Sequence, residues 1–508
     1  MIALILNDGI EKYEQDIREL AMAFCPGEPF IYEKNPEAWL TIESGSEPGG
    51  SFFVSASENT EKTRRDRESF LLTDSRRENK SIIKTALYKI FNRLSGKELP
   101  WGTLTGIRPV KLPESKLEKG MRDKDIRQDM KDEYLISDEK LDLIMDIAHL
   151  EHRELSAIPY RSGWSLYVGI AFCPTTCLYC SFTSYPIEKW KERLYEYLEC
   201  IRKELRLLKE ACNTEGSILY RRPLQTVYVG GGTPTALPAE HLRKLLEIIK
   251  SEADMSSVCE FTVEAGRPDS ITAEKLDILK EFGVDRISIN PQTMNQKTLD
   301  LIGRRHTVED FRKAYAMARE KGFDNINMDI IMGLPGESIK DVEYTLSEIE
   351  SMDPDSLTVH ALAIKRAARL NTEKETWATV ERADVREASV MTAMGAESAK
   401  RLNMKPYYLY RQKNMAGNQE NVGYAKEGKV NLYNILMMEE LHTVIGCGAG
   451  SSSKAVIMNK APELYDGNEN RVERFENIKN VAEYLPRIDE LIEKKRKFLM
   501  INRQNGNN

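Results

Sequence analysis

The chain's hydrophobic pattern changes character twice. Over residues 1–98 short apolar runs with strand-like spacing ("IALIL", "FIYEK", "WLTIE", "SFFVSA") mix with two amphipathic helical stretches, "EKYEQDIRELAMAF" and "SIIKTALYKIFNRLSG". That mixture predicts a small α+β domain. Residues 99–163 open with the Gly- and Pro-rich "LPWGTLTGIRPVKLP" and continue with helical periodicity, as expected for a structured linker and a helical segment. From 164 to 365 apolar runs alternate regularly with amphipathic stretches. The runs are "SLYVGI" (165–170), "TVYVGG" (226–231), "EFTVEA" (260–265), "RISINP" (286–291), "INMDII" (326–331) and "SLTVHA" (356–361). Such alternation predicts parallel βα units, six in number, as an open sheet or a partial barrel. Residues 366–500 read as a mostly helical C-terminal domain interrupted by "HTVIGCGAGSSSK", and the polar tail 501–508 reads as disordered.

Composition narrows the function classes. Hydrophobic residues make up 41% and charged residues 30%, a globular profile, and 508 residues are enough for two or three domains. A net charge of -7 gives no global attraction to nucleic acid or anionic lipid. No apolar run approaches membrane-spanning length, and the N-terminus lacks the basic flank of a signal peptide. The expectation is a cytoplasmic protein with neither a nucleic-acid nor a membrane partner. In that compartment clustered thiols read as metal ligands or redox groups rather than disulfides.

Three of the eight cysteines, Cys173, Cys177 and Cys180, fall within eight residues directly after the first strand of the alternating region. The spacing is C-x3-C-x2-C, on a loop that Pro174 keeps out of helix or strand. Structural zinc takes four Cys or His ligands, and no fourth lies in the motif; the nearest histidine in sequence is His152. An iron–sulfur cube normally takes four thiolates, so three leave one iron without a protein ligand. The spacing favours the cube over a three-ligand zinc or an inert buried cluster.

Other unusual residues sit at equivalent strand ends. Gly230, Gly231, Gly232 and Thr233 end the second strand without the lysine of a P-loop, so the reading stays open between close approach to a ligand and a tight turn. Glu264 ends the third strand, Gln292 follows the fourth and Asp329 lies within the fifth. Each alone is equally well a satisfied structural group. Together they point to one polar pocket at the C-terminal end of the strands. Arg304, in "LIGRRHT", is either a cation over that pocket or a solvated surface residue.

Taken jointly, "LYVGIAFCPTTCLYCSF", "VYVGGGTPTAL", "RISINPQTMNQKTLDLIGRRHT" and "NINMDIIMGLPGES" resemble the radical S-adenosylmethionine (SAM) superfamily, and within it the oxygen-independent coproporphyrinogen III oxidases (dehydrogenases). The long N-terminal region with "LPWGTLTGIRPVKL" resembles the HemZ-type branch. The resemblance implies a partial (β/α)6 radical SAM barrel and a [4Fe–4S] cluster on Cys173, Cys177 and Cys180. It implies SAM contacts at Tyr167, Gly231 and Glu264, and a second SAM site matched by Tyr179, Gly232, Thr233, Gln292, Arg304, Asp329 and Ala363. Whether one SAM binds or two stays open. The implied reaction converts two propionates of coproporphyrinogen III to the vinyl groups of protoporphyrinogen IX, in haem biosynthesis, with loss of CO2. A hydrogen is first taken from the carbon next to the ring. An electron donor such as a flavodoxin or ferredoxin is implied as partner. The substrate's four carboxylates call for cations, for which Arg305, Arg366 and Arg411 are candidates, each read equally as surface charge. The aromatic "KPYYLYRQKN" (405–414) suits either a macrocycle or a core element.

One position departs from the pattern. Established oxidases of the family carry a further Cys two residues after the third ligand, where this chain has Ser181 and then Phe182. Phe there resembles relatives that act as haem chaperones or in haem breakdown, so a haem-binding chaperone or a haem-modifying enzyme is the alternative. Cys447, in "IGCGAG", is the one distant thiol in a Gly-rich setting, and reads as a buried Cys.

Overall fold

The computed structural model describes residues 1–59, 64–106, 108–362, 385–411, 420–458 and 470–500. The chain divides into two compact units. The first takes in Met1–His152 and, among the described residues, 409–411. Its five strands, β1 (Ile2–Ile5), β2 (Phe30–Ile31), β3 (Leu40–Ser46), β4 (Phe52–Glu58) and β5 (Arg64–Phe70), form one sheet in the order β2-β1-β3-β4-β5. The helices Glu14–Phe24 and Arg76–Ser95 contribute Ile17, Leu20, Leu87 and Phe91 to a core shared with Ile2, Leu4 and Ile42. Ser75 caps the second helix by accepting from the Glu78 amide, and Gly96 ends it in a left-handed conformation. Both predicted helices and the first four strands are found. β5, "RRDRESF", has no apolar face and pairs at the sheet edge with β4, so periodicity gave no sign of it.

The second unit holds the alternating region. All six expected strands are present: β6 (Trp164–Ile170), β9 (Leu224–Gly231), β10 (Glu260–Glu264), β11 (Arg286–Ser288), β12 (Ile326–Met332) and β13 (Ser356–Ala361). They pair in parallel in chain order. Between β6 and β9 two short strands, β7 (Phe172–Cys173) and β8 (Tyr185–Pro186), pair with each other. Amphipathic helices connect the strands. Two of them, Val308–Glu320 and Ile339–Met352, begin with reciprocal capping boxes, Thr307 with Asp310 and Ser338 with Asp341. Buried Val, Ile and Leu fill the strands on both faces, as parallel strands require.

The described C-terminal residues contain helices, as expected, and also five strands that periodicity did not reveal. These are β14 (Lys405–Arg411), β15 (Glu420–Ala425), β16 (Thr443–Cys447), β17 (Ser452–Met458) and β18 (Asn470–Glu476). They extend the parallel sheet at both edges, in the order β14-β15-β13-β12-β11-β10-β9-β6-β16-β17-β18. β16 runs parallel to β6, with Gly446 opposite Tyr167. The turn after β16 requires glycine: a Cβ on Gly448, at φ +95°, would stand 2.2 Å from the Gly169 carbonyl. No helix among the described residues is long and apolar enough to cross a membrane.

Candidate functional site

The cysteine loop leaves the end of β6 and is pinned at both ends. β7 pairs with β8 through Phe172 with Tyr185 and Cys173 with Pro186, so the chain entering the loop lies beside the chain leaving it. In between, Leu178 buries itself among Leu299, Ile302 and Leu334, with Tyr179 packed alongside, and its amide donates to the Ile302 carbonyl at 2.9 Å. Thr175 Oγ1 donates to the Gly303 carbonyl at 3.1 Å. The Cys180 amide donates to the Cys177 carbonyl at 3.2 Å, which closes the turn.

Each sulfur has a hydrogen-bond donor near it. Cys173 Sγ lies 3.3 Å from Thr233 Oγ1. Cys177 Sγ lies 3.7 Å from an Arg267 terminal nitrogen. The Phe182 amide and the Ser184 hydroxyl act on Cys180. Burial pushes the Cys173 thiol up to about 11 and raises Cys180, against the pull of these donors and with the neighbouring thiols adding to the rise. Three sulfurs in mutual electrostatic reach, each facing a donor suited to a thiolate, fit a positively charged metal group. Among the described residues no three Cys, His, Asp or Glu side chains converge on a single ion.

The glycines after β9 lie against the root of this loop. The Gly232 amide donates to the Ile170 carbonyl at 2.6 Å, and the Thr233 amide to Phe172 at 2.7 Å. A Cβ on Gly232 would come within 2.4 Å of the Phe172 carbonyl. The close approach these residues permit is therefore, at least in part, to the protein's own backbone. Gly231 takes φ +105°.

The two strand-end carboxylates differ. Burial pushes Glu264 up to about 7, against the pull of the Tyr228 hydroxyl, which donates at 2.6 Å, and Asp329 adds to the rise. For Asp329 burial acts in the same direction, but His360 and hydrogen bonds from Asn327 and Thr358 outweigh it and hold it below the usual range. Asn327 and Asn290 donate to its two oxygens at 2.7 and 2.8 Å. Tyr167 stacks on Tyr228 and Tyr433, with ring centroids 6.1 and 6.3 Å away.

Gln292 and Arg304 join the same neighbourhood. Gln292 adopts φ +64°, a region non-glycine residues rarely enter, and its amide donates to the Asp329 carbonyl at 3.0 Å. Its side-chain oxygen is buried without a partner. Arg304 is not a solvated surface residue: it is 5% exposed and donates to the Asn290 and Gly266 carbonyls at 2.5 and 3.1 Å. Its guanidinium also lies by Cys177 and Tyr179, whose hydroxyl burial holds well above its ordinary value. The structure thus gathers Tyr167, Tyr179, Gly231, Gly232, Thr233, Glu264, Gln292, Arg304 and Asp329 around the strand ends. Ala363 and Arg366 lie outside the described residues.

A cavity of about 830 Å³ opens beside the cysteine loop, lined by 174–176, Pro186, Glu188, Asp300 and 303–305. Arg305 is exposed on its rim. Arg411 is not surface charge: in the first unit it donates to the Leu104 carbonyl at 2.7 Å, its guanidinium is 4.8 Å from the Trp101 ring centre, and it is 4% exposed. Cys447 is buried within β16, and burial raises its thiol. Phe182 is 67% exposed on the cysteine loop.

Sequence reading passed over Tyr228, Asn290, Asn327, Tyr433 and Arg267. Two of these carried a signal. Tyr228 and Asn327 precede Gly230 and Asp329 by two positions on β9 and β12, and residues two apart on a strand share a face. Tyr433 is supplied by a helix after β15, beyond the reach of any local pattern.

Comparison with known proteins adds the following. The radical SAM superfamily model matches residues 167–349. The chain is 40% identical over 428 residues to the oxygen-independent coproporphyrinogen-III oxidase-like protein HemZ of Bacillus subtilis, covering 83% of this chain and 81% of that one. It is 38% identical over 202 residues to the heme chaperone HemW of the same organism, 40% of this chain and 51% of that one. It is 29% identical over 209 residues to the oxygen-independent coproporphyrinogen III oxidase of Paracoccus denitrificans, 41% and 45% of the two chains. A solved structure of coproporphyrinogen III oxidase (HemN) from Escherichia coli covers 67% of this chain and 72% of that one, with 18% identity and a TM-score of 0.49.

Proposed function

Since the chain belongs to the radical SAM family of HemZ-type, oxygen-independent coproporphyrinogen-III oxidase-like proteins, which use a [4Fe–4S] cluster and SAM, we propose that it is an oxidoreductase acting on a tetrapyrrole. The substrate we favour is coproporphyrinogen III, with oxidative decarboxylation to protoporphyrinogen IX. The observation that carries this reading is the pinned loop with a donor at each of three sulfurs, beside a cavity bordered by Arg304 and Arg305.

In this reading Cys173, Cys177 and Cys180 hold the cluster. When bound, the cluster and SAM supply a carbon radical able to remove an unactivated hydrogen. Glu264 accepts the ammonium group of SAM, and Tyr228 holds that carboxylate in place. Asp329, fixed by Asn290 and Asn327, presents a second anion, with Gln292 as neighbour; this supports a second SAM site. The stacked rings of Tyr167, Tyr228 and Tyr433 keep water from the strand ends. Arg305 on the rim meets a substrate carboxylate. A one-electron donor protein such as a flavodoxin or ferredoxin completes the system. Three clustered cysteines held as thiolate ligands suit a reducing compartment, which supports a cytoplasmic setting.

A second reading rests on Phe182. An exposed aromatic side chain where established oxidases carry a Cys suits contact with a haem face, and a heme chaperone HemW is among the relatives of this chain. In that case the protein carries or modifies haem and does not decarboxylate.

The deciding experiment is anaerobic reconstitution followed by dithionite, SAM and coproporphyrinogen III, with chromatography of 5′-deoxyadenosine and of porphyrins. Vinyl products appearing together with deoxyadenosine support the oxidase. Deoxyadenosine without vinyl product discards it, and a stoichiometric haem titration then selects the chaperone.

A further inference from the structure

The cysteine loop is held from behind by a side chain that belongs to neither the cysteine nor the glycine motif. Arg267 lies three residues beyond the end of β10 and is 2% exposed. Its guanidinium is fully engaged. Nε and one terminal nitrogen donate to the two Asp269 oxygens at 3.1 and 3.0 Å. The same terminal nitrogen reaches Thr175 Oγ1 at 3.0 Å. The other reaches the Thr175 carbonyl at 3.1 Å and faces Cys177 Sγ at 3.7 Å. A planar fork fixed at one end by a carboxylate and at the other by the loop backbone cannot swing away from that sulfur.

The three sulfurs are not served alike. As hydrogen-bond donors Cys173 has a hydroxyl, and Cys180 an amide and a hydroxyl, all neutral. Cys177 has Arg267, with the buried Arg304 guanidinium on it as well. Both guanidiniums make their direct sulfur contact at Cys177, while Arg267 also acts through space on Cys173 and Arg304 on Cys180.

We propose that Arg267 is a positioning residue that fixes the cysteine loop and, through its contact with Cys177 Sγ, raises the reduction potential of the cluster, with Asp269 as the counterweight that limits the rise. The inference rests on the reading of Cys173, Cys177 and Cys180 as cluster ligands. Reduction adds one electron to the cluster, and a buried cation and a hydrogen bond at a ligand sulfur both stabilise the more negative form. Asp269 offsets part of the Arg267 charge, so its removal leaves a larger positive field at Cys177. The consequence is a cluster more easily filled by a modest one-electron donor.

The test uses full-length protein reconstituted anaerobically. Iron and sulfide are assayed first, and the cluster is then titrated with dithionite under paramagnetic resonance, without SAM. Arg267→Gln is expected to lower the midpoint, so that the reduced-to-oxidised ratio at a fixed potential falls about tenfold, equivalent to about 59 mV for a one-electron couple. Asp269→Asn is expected to move the midpoint the other way. Opposite signs separate the electrostatic role from mere packing, which would change iron content and leave the potential in place. An unchanged or raised midpoint in Arg267→Gln, or an unchanged or lowered one in Asp269→Asn, overturns the inference. If Arg267→Gln holds no cluster, the sign of the Asp269→Asn shift decides alone. Wild-type protein that takes up no iron and sulfide overturns the cluster reading itself, and this inference with it; a loaded wild type with unmoved variants overturns the inference alone.

Discussion

The hydroxyl of Tyr228 donates a 2.6 Å hydrogen bond to Oε1 of Glu264, and the two residues stand on neighbouring parallel strands. The bond pulls the Glu264 carboxyl down while burial pushes it up, and the balance falls at about 7. The carboxyl is therefore neutral below that pH and ionised above it. If it receives the SAM ammonium, affinity rises with pH, by as much as tenfold per unit below 7, and levels off above. Tyr228→Phe removes a donor that favours the ionised form, so the midpoint moves to higher pH. Equilibrium dialysis of SAM against reconstituted protein between pH 6 and 8.5 checks both. A flat profile in the native protein removes Glu264 from the contact.

The three loop cysteines and Cys447 should separate cleanly. Cys177→Ala is expected to lose stoichiometric iron and sulfide and to stop forming 5′-deoxyadenosine. Cys447→Ala, buried in β16 and paired through its backbone with Val168, should keep full iron content and cost only about 1 kcal/mol for the lost sulfur. Metal and sulfide assays after anaerobic purification give the answer. Full iron in Cys177→Ala rejects the ligand assignment.

Asp329 is ionised and held by two asparagine side chains, so it presents a fixed anion without reaching the cysteine loop. Asp329→Ala should weaken SAM binding by about 10- to 100-fold, the range for one lost hydrogen bond to a charged group, with iron and sulfide unchanged. An unaltered SAM isotherm rejects its role.

A structural prediction concerns Lys495 and Glu204, an ion pair with both side chains fully buried. Glu204 also accepts from the Tyr484 hydroxyl and from the Gly448 amide in the turn after β16. Removing one partner leaves a buried charge, so Lys495→Met should cost about 3–5 kcal/mol, and adding Glu204→Gln should restore part of it. Thermal unfolding of the two variants measures this. A single variant as stable as the native protein contradicts the pairing.

Much of this was legible in the sequence because parallel βα units write a strong local signal. The six runs from "SLYVGI" to "SLTVHA" are strands within two or three residues of their expected limits. The cysteine spacing and the polar strand ends were legible because a charge or a thiol inside an apolar run is costly without a use. What escaped is non-local. β16 joins the sheet beside β6 from almost 280 residues away, and nothing in "TVIGC" names its neighbour. The sequence left Arg304 open between a pocket cation and surface charge, and Arg411 between a substrate cation and surface charge; both are buried, because backbone carbonyls satisfy them and a sequence does not display such partners. Arg267 was hidden for the same reason, since only the folded loop brings Thr175 and Cys177 to it.

The central claim is a cluster on three thiolates with one iron open to SAM. Paramagnetic resonance of the anaerobically reconstituted, dithionite-reduced protein, recorded before and after SAM is added, tests it most directly. The account predicts about four irons and four sulfides per chain and a reduced-cluster signal whose g-values shift on adding SAM. A signal indifferent to SAM, or a protein that purifies with zinc and no sulfide, contradicts it.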